Sequence, residues 1–435
     1  MPLRPTLIAV VVAIAGSSGA SAQTDDPVLD SLVGLFQDAR GSVVVIWRPA
    51  PGQVAVGFQG GEVRGLAGSR GTYSYGPSLG ITTPSAGEVS RLGAGLDSIV
   101  WTPRDSAPSV LARVALRETD VAWSNGRVRL AGTIIMPPGP GPFTTIVMLH
   151  GAGAETRESS RVIAYYLAAH GVASLIYDKR STGASTGDSF NVPFADLARD
   201  ALGGVALLRR SAGVHPDRIG MFGPSQGSWI ALAATQLDTS VAFLVLQSGD
   251  ATTPLEQEMY RIPSILRSER ARGVARSASL TDADIAELEA FRRLKFQFGM
   301  TGKAPDGWDR ALATARRASW FALTGDGLPP RDFWAPNGTF DPMPALLAYR
   351  DPVLAVFGGR DVSKDVPRNA TLMREAFARS ENHHASVLVI DDANHGLFET
   401  KTGRPLEVEL PSLTRIAPGY LEAVAAFLAQ LGHLR

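Results

Sequence analysis

The stretch RIGMFGPSQGSWIALAA, residues 218–234, joins an apolar run to a helical run through a turn centred on Ser225. Gly223 and Gly227 bound this turn, and glycine is the residue that tolerates a sharp and crowded bend. A strand that turns through a serine into a helix lifts the hydroxyl clear of the sheet, where a base can reach it. The stretch therefore predicts a strand–turn–helix unit with Ser225 as a nucleophile.

The pattern Gly-x-Ser-x-Gly occurs a second time at residues 183–187, with Ser185 at its centre. A chance match is plausible in a chain with 45 glycines. The residues after this second copy, 188–193, end in proline and do not begin a helix directly. Because the strand–turn–helix context is the test of the motif, the sequence favours Ser225 over Ser185.

An aspartate and a histidine follow Ser225 in the chain, each on a loop after an apolar run. Asp361 comes after residues 352–357 and a glycine turn, and His395 comes after residues 387–390. The carboxyl ends of strands in an α/β sheet form the edge that carries the site, so we expect the three side chains to meet there. The imidazole would take the serine proton near neutral pH, and the carboxylate would orient the imidazole. The alternatives are a turn-forming aspartate and a surface-loop histidine.

The segment His150-Gly151-Ala152-Gly153 ends another apolar run, which begins at Phe143. Acyl transfer places negative charge on the carbonyl oxygen, and backbone N–H groups aimed at that oxygen stabilise the transition state. We expect one donor from Gln226, the residue after the nucleophile, and a second from this loop. The sequence leaves Gly151, Ala152 and Gly153 open as the second donor, with Ala152 as the first choice. A plain strand-ending turn is the alternative.

Five motifs together resemble those of the α/β-hydrolase superfamily: His150-Gly151-Ala152-Gly153, residues 177–187, the turn at Ser225, Gly359-Arg360-Asp361 and Asn394-His395-Gly396. Within that superfamily the chain resembles bacterial serine esterases related to the acylaminoacyl-peptidase and dienelactone-hydrolase branch, over about residues 116–435. The resemblance implies a mostly parallel sheet with helices on both faces and a structural role for Ser185. One departure is Ser181, where the family pattern usually has glycine. The chain has no cysteine, whereas dienelactone hydrolases use a cysteine nucleophile.

The composition is that of an ordinary globular protein, with 435 residues, of which 45% are hydrophobic. This length is enough for one large core and a smaller one. The 42 basic residues balance the 42 acidic ones, so the chain has no overall field that would attract nucleic acid. We expect a small-molecule ester as the binding partner, and neither a cofactor nor a metal ion. The sequence leaves the oligomeric state open.

The first 22 residues have the pattern of a secretory signal peptide. Arg4 supplies a positive charge, residues 7–15 are apolar, and Ala20-Ser21-Ala22 is a small-residue cleavage site. This apolar segment is too short to span a bilayer as a helix. We expect cleavage after Ala22 and export to the periplasm or the medium, and no later segment is typical of a transmembrane helix. A buried first helix is the alternative.

The mature chain divides into three parts by its sequence patterns. Residues 23–115 contain short alternating runs and glycine turns, which predict a small all-β domain. Residues 116–435 predict the catalytic domain, because strand and helix patterns alternate from residue 116 to 250. A mostly helical cap is expected as an insertion at about residues 251–345. Three aromatic residues of the cap are candidates for a substrate pocket or, alternatively, for the cap's own core: Trp308, Trp320 and Trp334.

Three classes of function are compatible with this fold class, and the residue patterns rank them. The leading one is a carboxylic-ester hydrolase that works through an acyl-serine. The second is a serine peptidase of the acylaminoacyl or oligopeptidase type, which shares the catalytic groups but usually carries an N-terminal propeller. Residues 23–115 are too few to form several four-stranded blades. The third class is a non-catalytic binding protein on a hydrolase fold, which Ser225, Asp361 and His395 together disfavour.

Overall fold

The computed structural model of this chain describes residues 29–431, without residues 30, 50–52, 59, 70–71, 93–96, 189–190, 326, 405–408 and 410–411. The predicted signal peptide, residues 1–22, lies outside the described residues. Two β-structures organise the described chain: a closed antiparallel barrel of eight strands and a separate sheet of eight strands. The predicted fold class is therefore confirmed, including the N-terminal all-β domain.

The barrel is formed by eight short strands, β1 to β8, and closes where β1 pairs with β8. The strands are β1 (Gly34–Gln37), β2 (Val43–Trp47), β3 (Val54–Phe58), β4 (Val63–Ser69), β5 (Thr72–Tyr75), β6 (Gly87–Arg91), β7 (Ser98–Pro103) and β8 (Ser109–Arg113). Strand β2 is buried on both faces. Val44 and Ile46 point into the barrel core, while Val45 and Trp47 join an apolar cluster shared with the catalytic domain. This double burial explains why β2 is apolar throughout instead of alternating.

The second sheet has the strand order β16-β15-β14-β13-β11-β12-β10-β9. Its strands are β9 (Arg117–Asn125), β10 (Val128–Met136), β11 (Phe143–Met148), β12 (Ala173–Tyr177), β13 (Val214–Pro224), β14 (Leu244–Gln247), β15 (Val353–Gly358) and β16 (Ala385–Ile390). Strands β11 to β16 are mutually parallel, and β9 and β10 are antiparallel additions. The central parallel strands β12, β14 and β15 are buried apolar runs, as expected where helices cover both faces, whereas the edge strand β16 is only partly buried.

Ten α-helices accompany these strands within the described residues. They are α1 (Glu158–Ala169), α2 (Phe194–Leu208), α3 (Gln226–Leu237), α4 (Pro254–Ala271), α5 (Asp282–Thr301), α6 (Trp308–Ala315), α7 (Arg331–Asn337), α8 (Met343–Ala348), α9 (Val366–Arg379) and α10 (Tyr420–Gln430). Helices α4 to α7 form the cap, between β14 and β15, whereas α8 packs in the core cluster of the catalytic domain. Helix α5 begins with a capping box: Thr281 Oγ1 accepts from the Asp284 N–H, and the Asp284 carboxylate accepts from the Thr281 N–H at 2.7 Å.

The cap is attached to the catalytic domain at its last turns. The side chain of Asn337 accepts a hydrogen bond from the Phe194 N–H at 2.8 Å and donates one to the Val192 carbonyl at 2.9 Å. At its first helix, Gln257 donates to the carbonyl oxygen of Ser363, two residues after Asp361, at 2.7 Å. The cap therefore borders the loop that carries the predicted catalytic acid.

The three cap tryptophans are buried within the cap itself. Trp308 and Trp320 pack with Phe291 in one apolar cluster, and Trp334 packs with Phe296 in another. Helices of a separate cap must bury their apolar faces against one another, which accounts for this placement. The interpretation of these residues as lining a substrate pocket is thus replaced by the alternative that they form the cap's own core.

Two kinds of feature do not occur within the part of the chain that the structure describes. No helix there combines the length and the apolar character that a bilayer crossing requires. No group of three or more histidine, aspartate or glutamate side chains there is placed to hold a metal ion.

Candidate active site

Ser225 lies at the junction between β13 and α3, with φ 51° and ψ −114°. A positive φ is strained for a residue other than glycine, and such strain is concentrated at functional sites. The turn excludes side chains on either side of the serine, since a Cβ on Gly223 would lie 2.4 Å from the carbonyl oxygen of Gly227. The Ser225 N–H donates to the Gln247 carbonyl at 2.8 Å. These contacts fix the serine at the carboxyl edge of the sheet.

His395 and Asp361 are hydrogen-bonded to each other, with 2.5 Å between Nδ1 and Oδ2. They are brought together because Asp361 follows β15, His395 follows β16, and these two strands are neighbours. Both side chains are buried, with Asp361 6% and His395 8% exposed. The second carboxylate oxygen of Asp361 accepts from the Ser363 N–H at 2.8 Å. Since Nδ1 of His395 is engaged, Nε2 is the nitrogen that can act as a base.

The loop that carries His395 is held by buried polar contacts. Asn394 accepts a hydrogen bond from the Phe398 N–H at 3.1 Å and donates one to Glu409 at 2.9 Å. The carbonyl oxygen of His395 accepts from Ser248 Oγ at 2.8 Å. A side chain on a loop secured in this way keeps its orientation, which a catalytic base requires.

Ser225 and His395 line the same cavity, which has a volume of about 180 Å³. Most of its other lining is apolar, and Gln247, Glu155 and Ser159 add polar groups. Within the described residues, no hydrogen bond joins the Ser225 hydroxyl to His395. Catalytic hydrogen bonds of this kind are often long in unliganded enzymes and shorten in the complex. An apolar pocket with a few convergent polar groups is typical of a small-molecule site.

The predicted oxyanion donors lie on two segments beside Ser225. Gln226 is the first residue of α3, where backbone N–H groups have no partner inside the helix. Gly151 and Ala152 follow β11, and Gly151 lines the cavity. A Cβ on Gly151 would lie 2.8 Å from Glu155 Oε1, so the Glu155 carboxyl is directly against this loop. The roles of Gln226, Ala152 and Gly151 as donors stay a prediction.

Lys179 is buried behind the oxyanion loop, with 2% of its surface exposed. Its ammonium nitrogen donates to the carbonyl oxygens of Gly151 at 2.7 Å and Gly153 at 3.0 Å, and to Gln226 Oε1 at 3.1 Å. An ammonium group has three N–H donors, so all three are satisfied. Burial lowers the pKa of Lys179 to about 8, and the negative charge of Glu155 opposes this shift. Lys179 is thus hydrogen-bonded to both segments that carry the predicted oxyanion donors.

Two further titratable groups, Glu155 and His150, lie near Lys179. Burial raises the pKa of the Glu155 carboxyl to about 7, and Lys179 and the Gly151 backbone only partly offset that rise. Burial also lowers the pKa of His150 to about 3, with the charge of Lys179 as the second cause. His150 is therefore neutral at physiological pH, and its Nε2 donates to the Tyr177 carbonyl oxygen at 2.6 Å. His150 shapes the loop and is not placed as a second base.

The second serine motif lies in a structural loop. Ser185 is buried, its hydroxyl donates to the Asp178 carbonyl oxygen at 2.7 Å, and it accepts from the Ala131 N–H at 3.0 Å. The Asp178 carboxylate forms an ion pair with Arg157 at 2.8 Å. Ser181, the departure from the family pattern, has a φ of 57°, which glycine would adopt without strain.

Sequence reasoning missed four residues beside the site: Lys179, Glu155, Trp47 and Leu79. Lys179 follows the wholly buried strand β12, and a charged residue at the carboxyl end of such a strand is a usable signal. Glu155 lies four residues after Gly151, and the sequence around it has no pattern that indicates a functional residue. Trp47 and Leu79 belong to the barrel domain, and they line the cavity of Ser225 through long-range packing that no local pattern indicates.

Comparison with known proteins gives one family and one curated relative. The model of the alpha/beta hydrolase family matches residues 146–408. The curated relative is Esterase EstD of Thermotoga maritima, 24% identical over 308 residues, which are 69% of this chain. The match spans 66% of the length of that relative.

Solved structures that align with this chain include the esterase Pf2001 of Pyrococcus furiosus. It is 18% identical, covers 73% of this chain and 92% of its own, and has a TM-score of 0.43. A dienelactone hydrolase from Anabaena variabilis is also 18% identical, covers 73% of this chain and 97% of its own, and has a TM-score of 0.37.

Proposed function

Because this chain belongs to the alpha/beta hydrolase family, we propose that it is a serine hydrolase that cleaves carboxylic esters through an acyl-serine intermediate. The observation that carries the proposal is the hydrogen bond between His395 and Asp361, beside a cavity that Ser225 also lines. The strained turn at Ser225 adds support. The Thermotoga maritima relative is an esterase by name, which agrees with this class of reaction.

In the proposed mechanism, Nε2 of His395 takes the proton of Ser225 as its Oγ attacks the ester carbonyl carbon, and Asp361 stabilises the imidazolium. The carbonyl oxygen becomes an oxyanion that the N–H groups of Gln226 and Ala152 stabilise. The C–O bond to the alcohol then breaks, and the imidazolium gives its proton to the leaving alkoxide. Water attacks the acyl-serine by the same route, which releases the acid and restores the serine.

The preference for esters rests on the pocket, because a serine peptidase would use the same catalytic groups. A peptidase must also hold an extended chain and protonate an amine leaving group. The cavity of about 180 Å³ is mostly apolar, and an apolar cavity of about 150 Å³ is known to hold benzene. We therefore propose small to medium apolar groups on the ester, with breadth among them, since an apolar pocket discriminates by about 1–3 kcal/mol per methylene.

The test is a comparison of p-nitrophenyl esters with acylaminoacyl and dipeptidyl p-nitroanilides, using the mature protein. We expect kcat/KM for p-nitrophenyl butyrate to exceed that for the anilides by orders of magnitude. The Ser225→Ala variant is the control for background hydrolysis. Equal rates on anilides would favour the peptidase, and no turnover of either class above the control would favour a non-catalytic binding protein.

Export belongs to the proposal on the pattern of residues 1–22 alone. The apolar residues 7–15 and the small residues before Gln23 support cleavage after Ala22. Expression of the full chain in a bacterium, followed by N-terminal sequencing of the periplasmic fraction, is the test. We expect the sequence to begin at Gln23, and an intact Met1 confined to the cytoplasm would contradict export.

A further inference from the structure

One wall of the cavity at Ser225 comes from the N-terminal barrel. Trp47, Pro49 and Leu79 of the barrel line the cavity together with Ser225 and His395. The apolar lining from the catalytic domain consists of Met148, Val162, Ile163, Phe222, Phe398 and Tyr420. Trp47 is 5% and Leu79 is 6% exposed, so both are buried in the folded chain and not displayed to solvent.

The barrel is hydrogen-bonded to the segment that follows the histidine loop. The N–H groups of Val63 and Leu79 donate to the carbonyl oxygens of Thr414 and Leu413 at 2.9 and 2.8 Å. In the other direction, the Ile416 N–H donates to the carbonyl oxygen of a barrel glycine, at 2.7 Å. Backbone contacts of this kind fix position more firmly than side-chain packing alone, because both partners are peptide groups with little freedom.

The same segment is also connected to the loop of His395. The Ala417 N–H donates to the Leu397 carbonyl at 2.8 Å, and the Glu399 N–H donates to the Arg415 carbonyl at 2.9 Å. Residues 413–417 therefore lie between the barrel and the loop that carries the base. Trp47 and Leu79 share one apolar cluster with Met148 and Phe222, so the barrel wall and the catalytic wall form a continuous packed unit.

The chemistry of this wall selects the ligand group it can hold. An indole ring and a leucine side chain offer apolar contact area and little hydrogen bonding, so they favour an alkyl or aryl group over a charged one. A packed wall also limits length, because a longer chain must displace side chains that are already in contact.

We propose that the N-terminal barrel closes the substrate pocket, with Trp47 and Leu79 limiting the length of the apolar group that the ester can present. This inference rests on the proposed esterase function and assigns the barrel a part in specificity. The group held is an alkyl or aryl chain, which an ester can carry on its acyl side or on its alcohol side.

The experiment measures kcat/KM for p-nitrophenyl acetate, butyrate, octanoate and laurate in the wild type and in Trp47→Ala. We expect the wild type to favour butyrate. In Trp47→Ala, the ratio of kcat/KM for octanoate to kcat/KM for butyrate should rise by about tenfold or more, because loss of the indole ring makes room for a few more methylenes. A ratio of two substrates is independent of the fraction of folded enzyme. A parallel series of butyrate esters of methanol to octanol tells which side of the ester the barrel meets.

A matched control and a second variant keep the test decisive. Trp101 is a barrel tryptophan that stacks on Phe58 at 4.7 Å and donates to Tyr75 Oη at 2.9 Å, so Trp101→Ala should leave the ratio unchanged. Leu79→Ala should change it in the same direction as Trp47→Ala, and Leu79→Phe in the opposite one.

The outcomes separate this inference from the proposed function. A shift in the acyl series or in the alcohol series, absent from Trp101→Ala, supports the barrel wall. Unchanged ratios in both series for Trp47→Ala and Leu79→Ala would overturn it while leaving the esterase in place. If the wild type does not hydrolyse esters, the proposed esterase function itself is wrong.

Discussion

The ammonium group of Lys179 donates to the carbonyl oxygen of Gly151 at 2.7 Å, and that carbonyl shares its peptide group with the Ala152 N–H. The N–H and C=O of a trans peptide point in opposite directions, and the peptide between Gly151 and Ala152 is trans. The Ala152 N–H is therefore directed away from the buried lysine. Lys179 also donates to Gln226 Oε1, and we infer that it positions both segments that carry predicted oxyanion donors.

Lys179→Met should lower kcat by about 10²- to 10³-fold with little change in KM, because loss of one oriented oxyanion donor costs about 3–4 kcal/mol in the transition state. Methionine keeps most of the side-chain volume and removes the three hydrogen bonds. Steady-state kinetics on p-nitrophenyl butyrate are the measurement, with the exposed Lys303→Met as the control. A kcat within threefold of the wild type, or an effect on KM alone, would show that Lys179 has no such role.

Asp361→Asn should lower kcat by about 10⁴ with a near-normal KM, by analogy with removal of the carboxylate from other serine triads. Asparagine is nearly isosteric, but its amide cannot stabilise the imidazolium of His395. The structure pairs His395 with this carboxylate at 2.5 Å. Active-site titration before the kinetics corrects for any loss of folded protein.

Two other aspartates serve as controls for this assignment. Asp365 is the N-cap of α9 and accepts from the Arg368 N–H, and Asp391 is exposed directly after β16. Neither is hydrogen-bonded to His395, so Asp365→Asn and Asp391→Asn should keep kcat near the wild-type value. If kcat collapses in either of these variants while Asp361→Asn keeps normal turnover, that other aspartate is the acid that orients His395.

Glu155→Gln should become more stable relative to the wild type as the pH rises from 4.5 to 7. Burial raises the pKa of Glu155 from 4.5 to about 7, so the folded state holds this proton more tightly than the unfolded state does. The wild type therefore loses stability as the pH rises through this window, by up to about 3 kcal/mol, and glutamine removes the effect. Thermal melting at both ends of the window measures it.

The control for Glu155→Gln is Glu375→Gln, which removes an exposed carboxylate on α9. Its Tm difference from the wild type should stay constant between the two pH values. If the Tm difference of Glu155→Gln also stays constant, or falls, the assignment of a raised pKa to the Glu155 carboxyl is wrong.

Local sequence patterns were enough to predict the parallel strands of the sheet and the order of the candidate site residues. Val353–Gly358 and the segment before His395 are apolar runs that end in loops, and a run of that kind in an alternating chain predicts a parallel strand. The positions of Asp361 and His395 at one sheet edge then follow from the parallel arrangement. The start of α5 at Thr281 was likewise predictable, because a capping box depends on residues that are three apart.

The remaining features depend on contacts between distant parts of the chain. Strand β9 was not predicted, since Arg117, Glu118 and Asp120 are exposed on an edge strand and give no apolar pattern. The position of Trp47 at the cavity of Ser225 is set by docking of the barrel, for which the sequence carries no periodic signal. The tryptophans of the cap were candidates for a substrate pocket because they are large and aromatic. The packing of the cap helices against one another instead places them in the core of the cap.

The nucleophile is tested most directly by the site of covalent labelling with a fluorophosphonate probe, read by intact-protein mass spectrometry. We predict one adduct on the wild type, one on Ser185→Ala and none on Ser225→Ala. Ser185→Ala removes two structural hydrogen bonds, so circular dichroism must first show that this variant is folded. An adduct that persists in Ser225→Ala and disappears in folded Ser185→Ala would contradict Ser225 as the nucleophile.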